Sequence, residues 1–388
     1  MRLLAVVLVF VCLLHGRAVL AGSVKQLAVS ERTWGLSASF VAPETDQTFS
    51  RVRNFVGIYD AVLPPVVVDD LLVVLDGRGR LVALSDGDAG GIAWHVDLAE
   101  GAGNVYSGSV LYSDGTLLCA VDNLLYGVDP KDGRIKWKKA LRNSLSGDLV
   151  ALHDGRAVAA LVIDNYLYVF NVADGGLLWH HEEIGASDIR VRGPLSVAYS
   201  RKKRAVIMLS PDGRVLCLDA YSGDKVWEAN LEKRDLGVIG RSVISPVVVA
   251  REVLLVGDSG VLESVALSSG KKLWSADVEV YDVLGVEKVG IFALTRDGGL
   301  VAFDPESKTQ LWTLNLGKIG GSGRWNSPVL AGGKLWLLGK NGRLLGVNAL
   351  SGAVEESYKI PGSFARSFVL SEGMAYASAG KQGLMVLS

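Results

Sequence analysis

Histidine and cysteine, the side chains that most often ligate transition metals or act as bases and nucleophiles, are scarce in this sequence. The 388 residues include five His and three Cys. His180 and His181 are adjacent rather than spaced as zinc ligands are, and Cys119 and Cys217 lie far apart. No phosphate-binding loop or nucleophile–base motif stands out. We therefore expect no catalytic residue, metal or cofactor, and we expect the His pair at the surface end of a strand.

The segment SDIRVRGP, residues 187–194, offers a different chemistry. Ile189 and Val191 alternate with charged residues, and Arg192 places a bidentate donor before Gly193. Apolar residues beside an arginine are typical of the centre of a protein–protein interface. The segment is therefore a candidate partner-binding patch. The alternative is that Ile189 and Val191 only complete the hydrophobic core beneath them.

An internal repeat determines which elements would position this segment. A turn containing Gly, followed four residues later by Trp, recurs as GVDPKDGRIKW, VFNVADGGLLW, CLDAYSGDKVW and SVALSSGKKLW. Successive repeated tryptophans are 38 to 48 residues apart, at Trp94, Trp137, Trp179, Trp227, Trp274 and Trp312. Glu356 occupies the next position of the repeat. Trp34 stands 60 residues before Trp94.

Each repeat unit contains short apolar runs separated by tight turns, which predicts four strands joined as a meander. Runs such as LLVVL (71–75) and AVIML (205–209) are continuously apolar, as in strands that are buried on both faces. A blade stacked between two other blades has that environment. We find no helical crossover that an α/β fold would need. The sequence predicts an all-β fold, a β-propeller of four-stranded antiparallel blades.

The repeat predicts eight blades. Seven tryptophans and Glu356 mark eight fourth-strand positions, if Trp34 is included as the first. Three more strands follow Glu356, near residues 367–371, 374–380 and 383–388. We expect an N-terminal strand around Trp34 to join these C-terminal strands and close the ring, which removes exposed sheet edges. Seven blades is the alternative, because the Trp34 position depends on the weakest pattern.

The repeated Trp and Gly residues have a structural interpretation. A Trp at a fixed place in each blade is expected to pack between neighbouring blades. The Gly four residues earlier is expected to supply a positive φ in the turn. Cys119 and Cys217 fall in different units, so we expect two buried thiols rather than a disulfide.

Residues 1–21 have the layout of a secretory signal peptide. Arg2 precedes an apolar run, Leu3 to Leu14, that is too short to span a bilayer, and Ala21 ends a plausible cleavage site. The remaining residues, 22–388, are expected to form a single propeller domain. Cys12 is a possible lipid acceptor, but Val11 precedes it and the apolar run continues past it. The net charge of −1 gives no indication of a nucleic-acid partner.

The Gly–Trp repeat resembles that of pyrroloquinoline quinone (PQQ) dehydrogenases. The resemblance implies the propeller fold, and fold alone does not determine chemistry. Those enzymes typically carry adjacent cysteines and a Glu/Asn/Asp calcium set, and we identify neither in this sequence. A PQQ-dependent oxidoreductase, or another PQQ-like binding propeller, remains the alternative function.

A signal peptide followed by one eight-bladed ring is similar to the BamB family, the periplasmic scaffolds of outer-membrane β-barrel assembly. The segment SPVLAGGKLWLLGKNGRLLGVNALSG also has the character of that family. The resemblance implies a non-enzymatic scaffold in the BAM complex, at the inner face of the outer membrane. It implies a monomer within the complex, peripheral to the membrane, that binds the insertase BamA, with nascent outer-membrane proteins as a second candidate partner.

The same resemblance assigns the BamA contact to an apolar-x-apolar-Arg-Gly motif, here Ile189, Val191, Arg192 and Gly193. A second contact would lie in residues 232–245, on the same face of the ring. The family tends to have an acidic pair there, whereas this chain has Arg241 and Val243. This departure puts the polar half of the contact in question and indicates either a partner with compensating charges or a shifted contact surface.

Overall fold

The computed structural model shows an all-β ring. It describes residues 52–55, 58, 63–85, 91–99, 108–182, 197–210, 214–230, 244–256, 260–320, 324–359, 367–371, 374–378 and 384–387. The described strands form eight four-stranded antiparallel units, which we number as blades 1 to 8. The fold class and the blade count expected from the repeat are therefore confirmed.

Blades 1 to 4 each consist of four consecutive strands, with the first strand innermost and the fourth outermost. Blade 1 contains β2 (Val66–Val68), β3 (Leu71–Leu75), β4 (Arg80–Ser85) and β5 (Ile92–Asp97). Blade 2 contains β6 (Gly108–Ser113), β7 (Thr116–Val121), β8 (Leu124–Val128) and β9 (Ile135–Ala140). Blade 3 contains β10 (Val150–Leu152), β11 (Ala157–Leu161), β12 (Tyr166–Asn171) and β13 (Leu177–Glu182), with a 3-10 turn at His153–Gly155. Blade 4 contains β14 (Ala198–Ser200), β15 (Ala205–Leu209), β16 (Arg214–Asp219) and β17 (Lys225–Asn230).

Blades 5 and 6 share one long strand. Blade 5 contains β18 (Val247–Val249), β19 (Glu252–Val256), β20 (Val261–Ala266) and the first half of β21 (Lys272–Val286). Blade 6 contains the second half of β21, then β22 (Gly290–Thr295), β23 (Gly299–Phe303) and β24 (Gln310–Asn315). β21 pairs with β20 up to Glu279 and with β22 from Val280 onward. The strand therefore passes directly, without a connecting loop, from the outside of one blade to the inside of the next.

The last two blades complete the ring. Blade 7 contains β25 (Val329–Ala331), β26 (Lys334–Leu338), β27 (Arg343–Asn348) and β28 (Val354–Lys359), and a four-residue helix, α1 (Gly317–Gly320), precedes it. Blade 8 contains β29 (Ser367–Ser371), β30 (Met374–Ser378), β31 (Leu384–Leu387) and the N-terminal strand β1 (Val52–Phe55).

Closure of the ring by an N-terminal strand is confirmed, but its predicted position was wrong. β1 pairs antiparallel with β31, with Val52 opposite Leu387 and Phe55 opposite Leu384. The closing strand is therefore Val52–Phe55, whereas Trp34 lies outside the described residues. This strand carries no Trp, and so the tryptophan pattern could not mark it.

The blade strands differ in burial according to their distance from the ring axis. The second strands are almost wholly buried, as in β7, where all six residues are buried. The fourth strands form the circumference and alternate between exposed and buried positions, as in β9. The continuous apolar runs of the sequence are thus inner strands sandwiched between blades.

A Trp–Gly contact joins each blade to the next where the repeat is intact. Trp179 Nε1 donates a hydrogen bond to the carbonyl of Ala220 in blade 4 at 2.9 Å. Its ring lies against Gly223, where φ is +77° and an added Cβ would come within 2.6 Å of Trp179 Cε3. The glycine therefore provides both a left-handed turn and the space for the neighbouring indole. The same hydrogen bond is made by Trp94, Trp137, Trp227 and Trp312.

Ring closure explains the missing Trp at position 356. Five of the repeated tryptophans contact the third-to-fourth strand turn of the following blade, as Trp312 contacts Gly352 in blade 7. In blade 8 the third strand is C-terminal and the fourth is N-terminal, so no such turn links them. A Trp at position 356 would have no turn glycine to contact, and Glu356 instead pairs with Lys334.

Strand direction assigns the connections to two faces. The connection face carries the fourth-to-first connections between blades and the second-to-third turns within them. The turn face carries the first-to-second and third-to-fourth turns. Neighbouring strands in each blade are antiparallel, so this separation holds in every blade.

Candidate partner-binding face

The residues predicted to contact a partner lie outside the described residues. Ile189, Val191, Arg192 and Gly193 fall in the connection between β13 and β14, and Arg241 falls in the connection between β17 and β18. Their roles stay predictions. The strands on either side of these connections are described and show where the two segments attach to the ring.

Both connections attach to the connection face at adjacent blades. The first runs from Glu182 at the end of β13 to Ala198 at the start of β14, and the second from Asn230 to Val247. β14 and β18 are first strands of neighbouring blades and contact each other. The sequence predicts that the two segments are neighbours on one face, and the strands that flank them belong to adjacent blades.

The first connection starts from an anchored strand end. Glu182 Oε1 accepts a hydrogen bond from Arg142 Nη1 at 2.7 Å, and Arg142 Nε lies 3.1 Å from Asp164 Oδ2. The hydrogen bond with Glu182 raises the pKa of Arg142, and the charge of Asp164 raises it further. Arg142 therefore stays charged and ties together three segments of the connection face. Because Arg142 and Glu182 are half exposed, these pairs orient the segments and add little stability.

An aromatic cluster supports the same strand end. The rings of Tyr166 and His180 stack with centroids 5.1 Å apart, and Arg142 lies over Tyr166 at 5.6 Å. Tyr168 Oη accepts a hydrogen bond from the backbone N–H of Arg142 at 3.1 Å. Together with Asp164 and Glu182, these residues form what we call the Arg142 cluster.

Sequence reasoning missed the Arg142 cluster, although a signal for it was present. Tyr166, Tyr168 and Phe170 alternate in β12, so their side chains share one face of the strand. Three aromatic residues on one face exceed what the repeat requires. The pairing partners across β12 and β13, such as Tyr168 with His180, became visible only with the register of the sheet.

The cysteine expectation is confirmed, and the histidine expectation is confirmed for His180. His180 is exposed near the end of β13, whereas His181 is half-buried. Cys119 and Cys217 are unpaired and buried in separate blades. Burial raises the pKa of both thiols, and that of Cys217 reaches about 12.

Both thiols are therefore expected to be unreactive in the folded protein. At pH 8 a thiol-specific reagent should label neither Cys119 nor Cys217, because the thiolate is the reactive form and both sites exclude water. In denaturant, both should react in a chain that has lost Cys12, and three should react if Cys12 is retained and free. Rapid labelling of either buried thiol in the native protein would contradict this expectation.

Within the described ranges, no three side chains among His, Cys, Asp and Glu are placed to hold a metal ion. The helices in the same ranges include none that is long and apolar enough to cross a bilayer. The recognisable features of this face are thus the attachment points of two long connections and the Arg142 cluster beside the first. Such an arrangement is suited to presenting loops to another protein.

Solved structures with the same architecture come from proteins of different functions. BamB from Moraxella catarrhalis superposes with a TM-score of 0.66 at 16% identity, covering 87% of this chain and 98% of that one. A europium-containing methanol dehydrogenase superposes with a TM-score of 0.60 at 11% identity, covering 84% of each chain. These likenesses support the propeller fold and do not distinguish between functions.

Sequence comparisons, unlike the structural ones, point to one family. A relative from Yersinia pestis, named outer membrane protein assembly factor BamB, is 23% identical over an alignment of 285 residues that covers 67% of this chain and 68% of the relative. The protein of the same name from Salmonella typhimurium is 24% identical over an alignment of 326 residues that covers 80% of each chain. The sequence profile described as outer membrane protein assembly factor BamB matches residues 77–288 and 296–388. This chain therefore belongs to the BamB family.

Proposed function

We propose that this protein is a non-enzymatic scaffold that assists the assembly of outer-membrane β-barrel proteins from the periplasmic side. The observation that carries the proposal is the family match, which extends from blade 1 through blade 8. A rigid ring with two long connections at neighbouring blades supports a role in presenting loops to other proteins. In this role no bond is made or broken by the protein itself.

The barrel insertase BamA is the proposed partner, and the connections over 183–196 and 231–243 are the proposed contact. Ile189 and Val191 would bury apolar surface at the centre, and Arg192 would pair with a carboxylate or carbonyl of the partner. Arg142 and Glu182 would hold the start of the first connection in place. Arg241 would require an acidic group on the partner, because a buried charge without a counter-charge is strongly destabilising.

The proposed contact predicts loss of BamA capture from the variant Ile189→Asp/Arg192→Glu. The change places a carboxylate in the apolar centre and reverses the adjacent charge, so a centrally placed pair should lower affinity at least about a hundredfold. Wild-type and variant proteins, each affinity-tagged, would be recovered from detergent-solubilised envelopes. BamA in each eluate would then be quantified by immunoblotting.

Leu350→Asp/Lys340→Glu is the matched control, because it introduces the same charges at exposed positions of blade 7. It should recover as much BamA as the wild type. If the wild-type protein captures no BamA, the proposed assembly role fails. If Ile189→Asp/Arg192→Glu captures BamA as well as the control does, the assignment of the contact to this connection fails.

The alternative, a PQQ-dependent oxidoreductase, makes a separate prediction. Recombinant protein would bind PQQ together with calcium and would oxidise an alcohol or a sugar with a dye as electron acceptor. A stoichiometric PQQ complex with this activity would overturn the scaffold proposal. The likeness to a methanol dehydrogenase supports the shared fold only, at 11% identity.

A further inference from the structure

The first-to-second turn of blade 4 consists of four consecutive basic residues, Arg201, Lys202, Lys203 and Arg204. All four are exposed on the turn face, between β14 and β15. The whole chain has 40 basic and 41 acidic side chains, so this cluster does not reflect a general excess of positive charge. We call residues 201–204 the basic turn.

Most of the charge of the basic turn is uncompensated. Arg201 Nε lies 2.5 Å from Asp154 Oδ1 in blade 3. Within the part of the chain that the structure describes, Lys202 and Lys203 form no ion pair. Arg204 lies over the ring of Tyr221, with its guanidinium carbon 5.4 Å from the ring centroid. Three of the four charges are therefore available to an external anion.

Basic residues also occur in the corresponding turns on either side of blade 4. Arg156 in blade 3 and Arg251 in blade 5 are exposed at the corresponding turns. The same turns of blades 1 and 2 instead carry Asp69, Asp70 and Asp114. Among these first-to-second turns the positive charge is therefore centred on blade 4, and Asp154 in the blade 3 turn is paired with Arg201.

Exposed aromatic and aliphatic side chains lie beside the positive charge. Tyr221, in the third-to-fourth turn of blade 4, is 55% exposed and stacks on His153 with ring centroids 4.1 Å apart. Val226, the second residue of β17, is 59% exposed near the same face. Stacking on His153 holds the tyrosine ring in place, and more than half of the residue stays exposed. Lysine and arginine around an exposed tyrosine is a combination typical of protein surfaces that contact membrane interfaces.

We propose that the turn face around blade 4 binds the anionic headgroup surface of a phospholipid membrane. A turn that projects from a rigid ring can bring several long basic side chains to a plane of negative charge at once, while Tyr221 reaches the headgroup region. The uncompensated lysines favour this diffuse electrostatic contact over a contact that requires fixed pairing. The strand ends from which the proposed protein-binding connections start are on the opposite face, so the proposal allows membrane and partner to be bound together.

Each basic side chain near an anionic membrane surface contributes about fivefold to the partition coefficient. Lys202→Glu/Lys203→Glu should therefore weaken binding at least about 25-fold, since two favourable charges are lost and two repulsive charges are added. Raising the ionic strength to about 1 M should also abolish binding of the wild type, because the Debye length then falls to about 3 Å.

The test is flotation of the purified full-length protein with vesicles. One set contains equal parts phosphatidylglycerol and phosphatidylcholine, and the other contains phosphatidylcholine alone. The wild type should float only with the anionic vesicles. Lys318→Glu/Lys340→Glu has the same net charge change at exposed positions on the connection face, and it should bind like the wild type.

Absence of wild-type binding to anionic vesicles would overturn the proposal. Equal losses in the two double variants would also overturn it, because net charge rather than the basic turn would then be responsible. If Lys202→Glu/Lys203→Glu binds vesicles normally but loses a protein partner in envelope pull-downs, the basic turn is a protein contact instead. The vesicles contain no assembly component, so the result is independent of the proposed assembly function.

Discussion

Replacing Trp179 by alanine is expected to lower the free energy of unfolding by about 3–5 kcal/mol. The indole is only 7% exposed and packs with residues of both blade 3 and blade 4. Its removal leaves a cavity between the blades and takes the hydrogen-bond donor away from the carbonyl of Ala220. Urea denaturation followed by circular dichroism should show a lower midpoint for Trp179→Ala than for the wild type.

Two further variants separate the causes of this loss. Trp179→Phe retains an aromatic ring but has no N–H donor, so it should recover much of the stability that Trp179→Ala loses. Leu178→Ala alters the preceding residue, which is 50% exposed, and should change stability by no more than about 0.5 kcal/mol. A cost for Trp179→Ala no larger than that for Leu178→Ala would show that the indole does not hold the two blades together.

Replacing Gly223 by alanine is expected to cost about 2–5 kcal/mol, from two sources. The backbone φ of +77° is unfavourable for a residue with a Cβ, which accounts for about 1–2 kcal/mol. The new Cβ would also lie 2.6 Å from Trp179 Cε3, so the blades must shift at a further cost of about 1–3 kcal/mol. Denaturation midpoints in urea provide the measurement.

Gly115 offers a matched control for backbone conformation alone. Its φ is +71°, close to that of Gly223, and an added Cβ would meet nothing within 4 Å. Gly115→Ala should therefore cost only the conformational part. In a Trp179→Ala background, Gly223→Ala should also cost only that part, because the clashing ring is gone. Equal losses for Gly115→Ala and Gly223→Ala would disprove the close Trp–Gly contact as a source of stability.

Much of the fold could be predicted because the determinants of each blade are local. A turn glycine and a Trp four residues later act within one hairpin, so the pattern repeats wherever that hairpin repeats. The fold prediction was less accurate where a strand is defined by residues far away in the sequence. The closing strand Val52–Phe55 is defined by pairing with β31 at the other end of the chain, and its own residues carry no repeat signature.

For the candidate site too, sequence reasoning found some residues and missed others. Ile189, Val191 and Arg192 attracted notice because they interrupt the repeat, and their contact with a partner stays a proposal. The Arg142 cluster joins residues from one connection, one turn and two strands, which have no fixed spacing along the chain. The pairing of the strands had to be known before these residues could be placed together.

The basic turn shows the same dependence on tertiary structure. Four consecutive basic residues are visible in the sequence, but their opposition to the proposed protein contact follows from strand direction. Their proximity to Tyr221 follows from the folding of blade 4, in which the backbone N–H of Ala220 hydrogen-bonds the carbonyl of Arg204.

The fold class and the repeat unit follow from the amino-acid sequence alone, because hairpin turns and buried apolar strands depend on neighbouring residues. The repeat favoured eight blades, and the pairing of β1 with β31 decided between eight and seven. Three other features required the folded ring: which strand closes it, why Glu356 replaces a Trp, and which turns share a face. Those features depend on pairing and packing between residues far apart in the chain, which local sequence preferences do not specify.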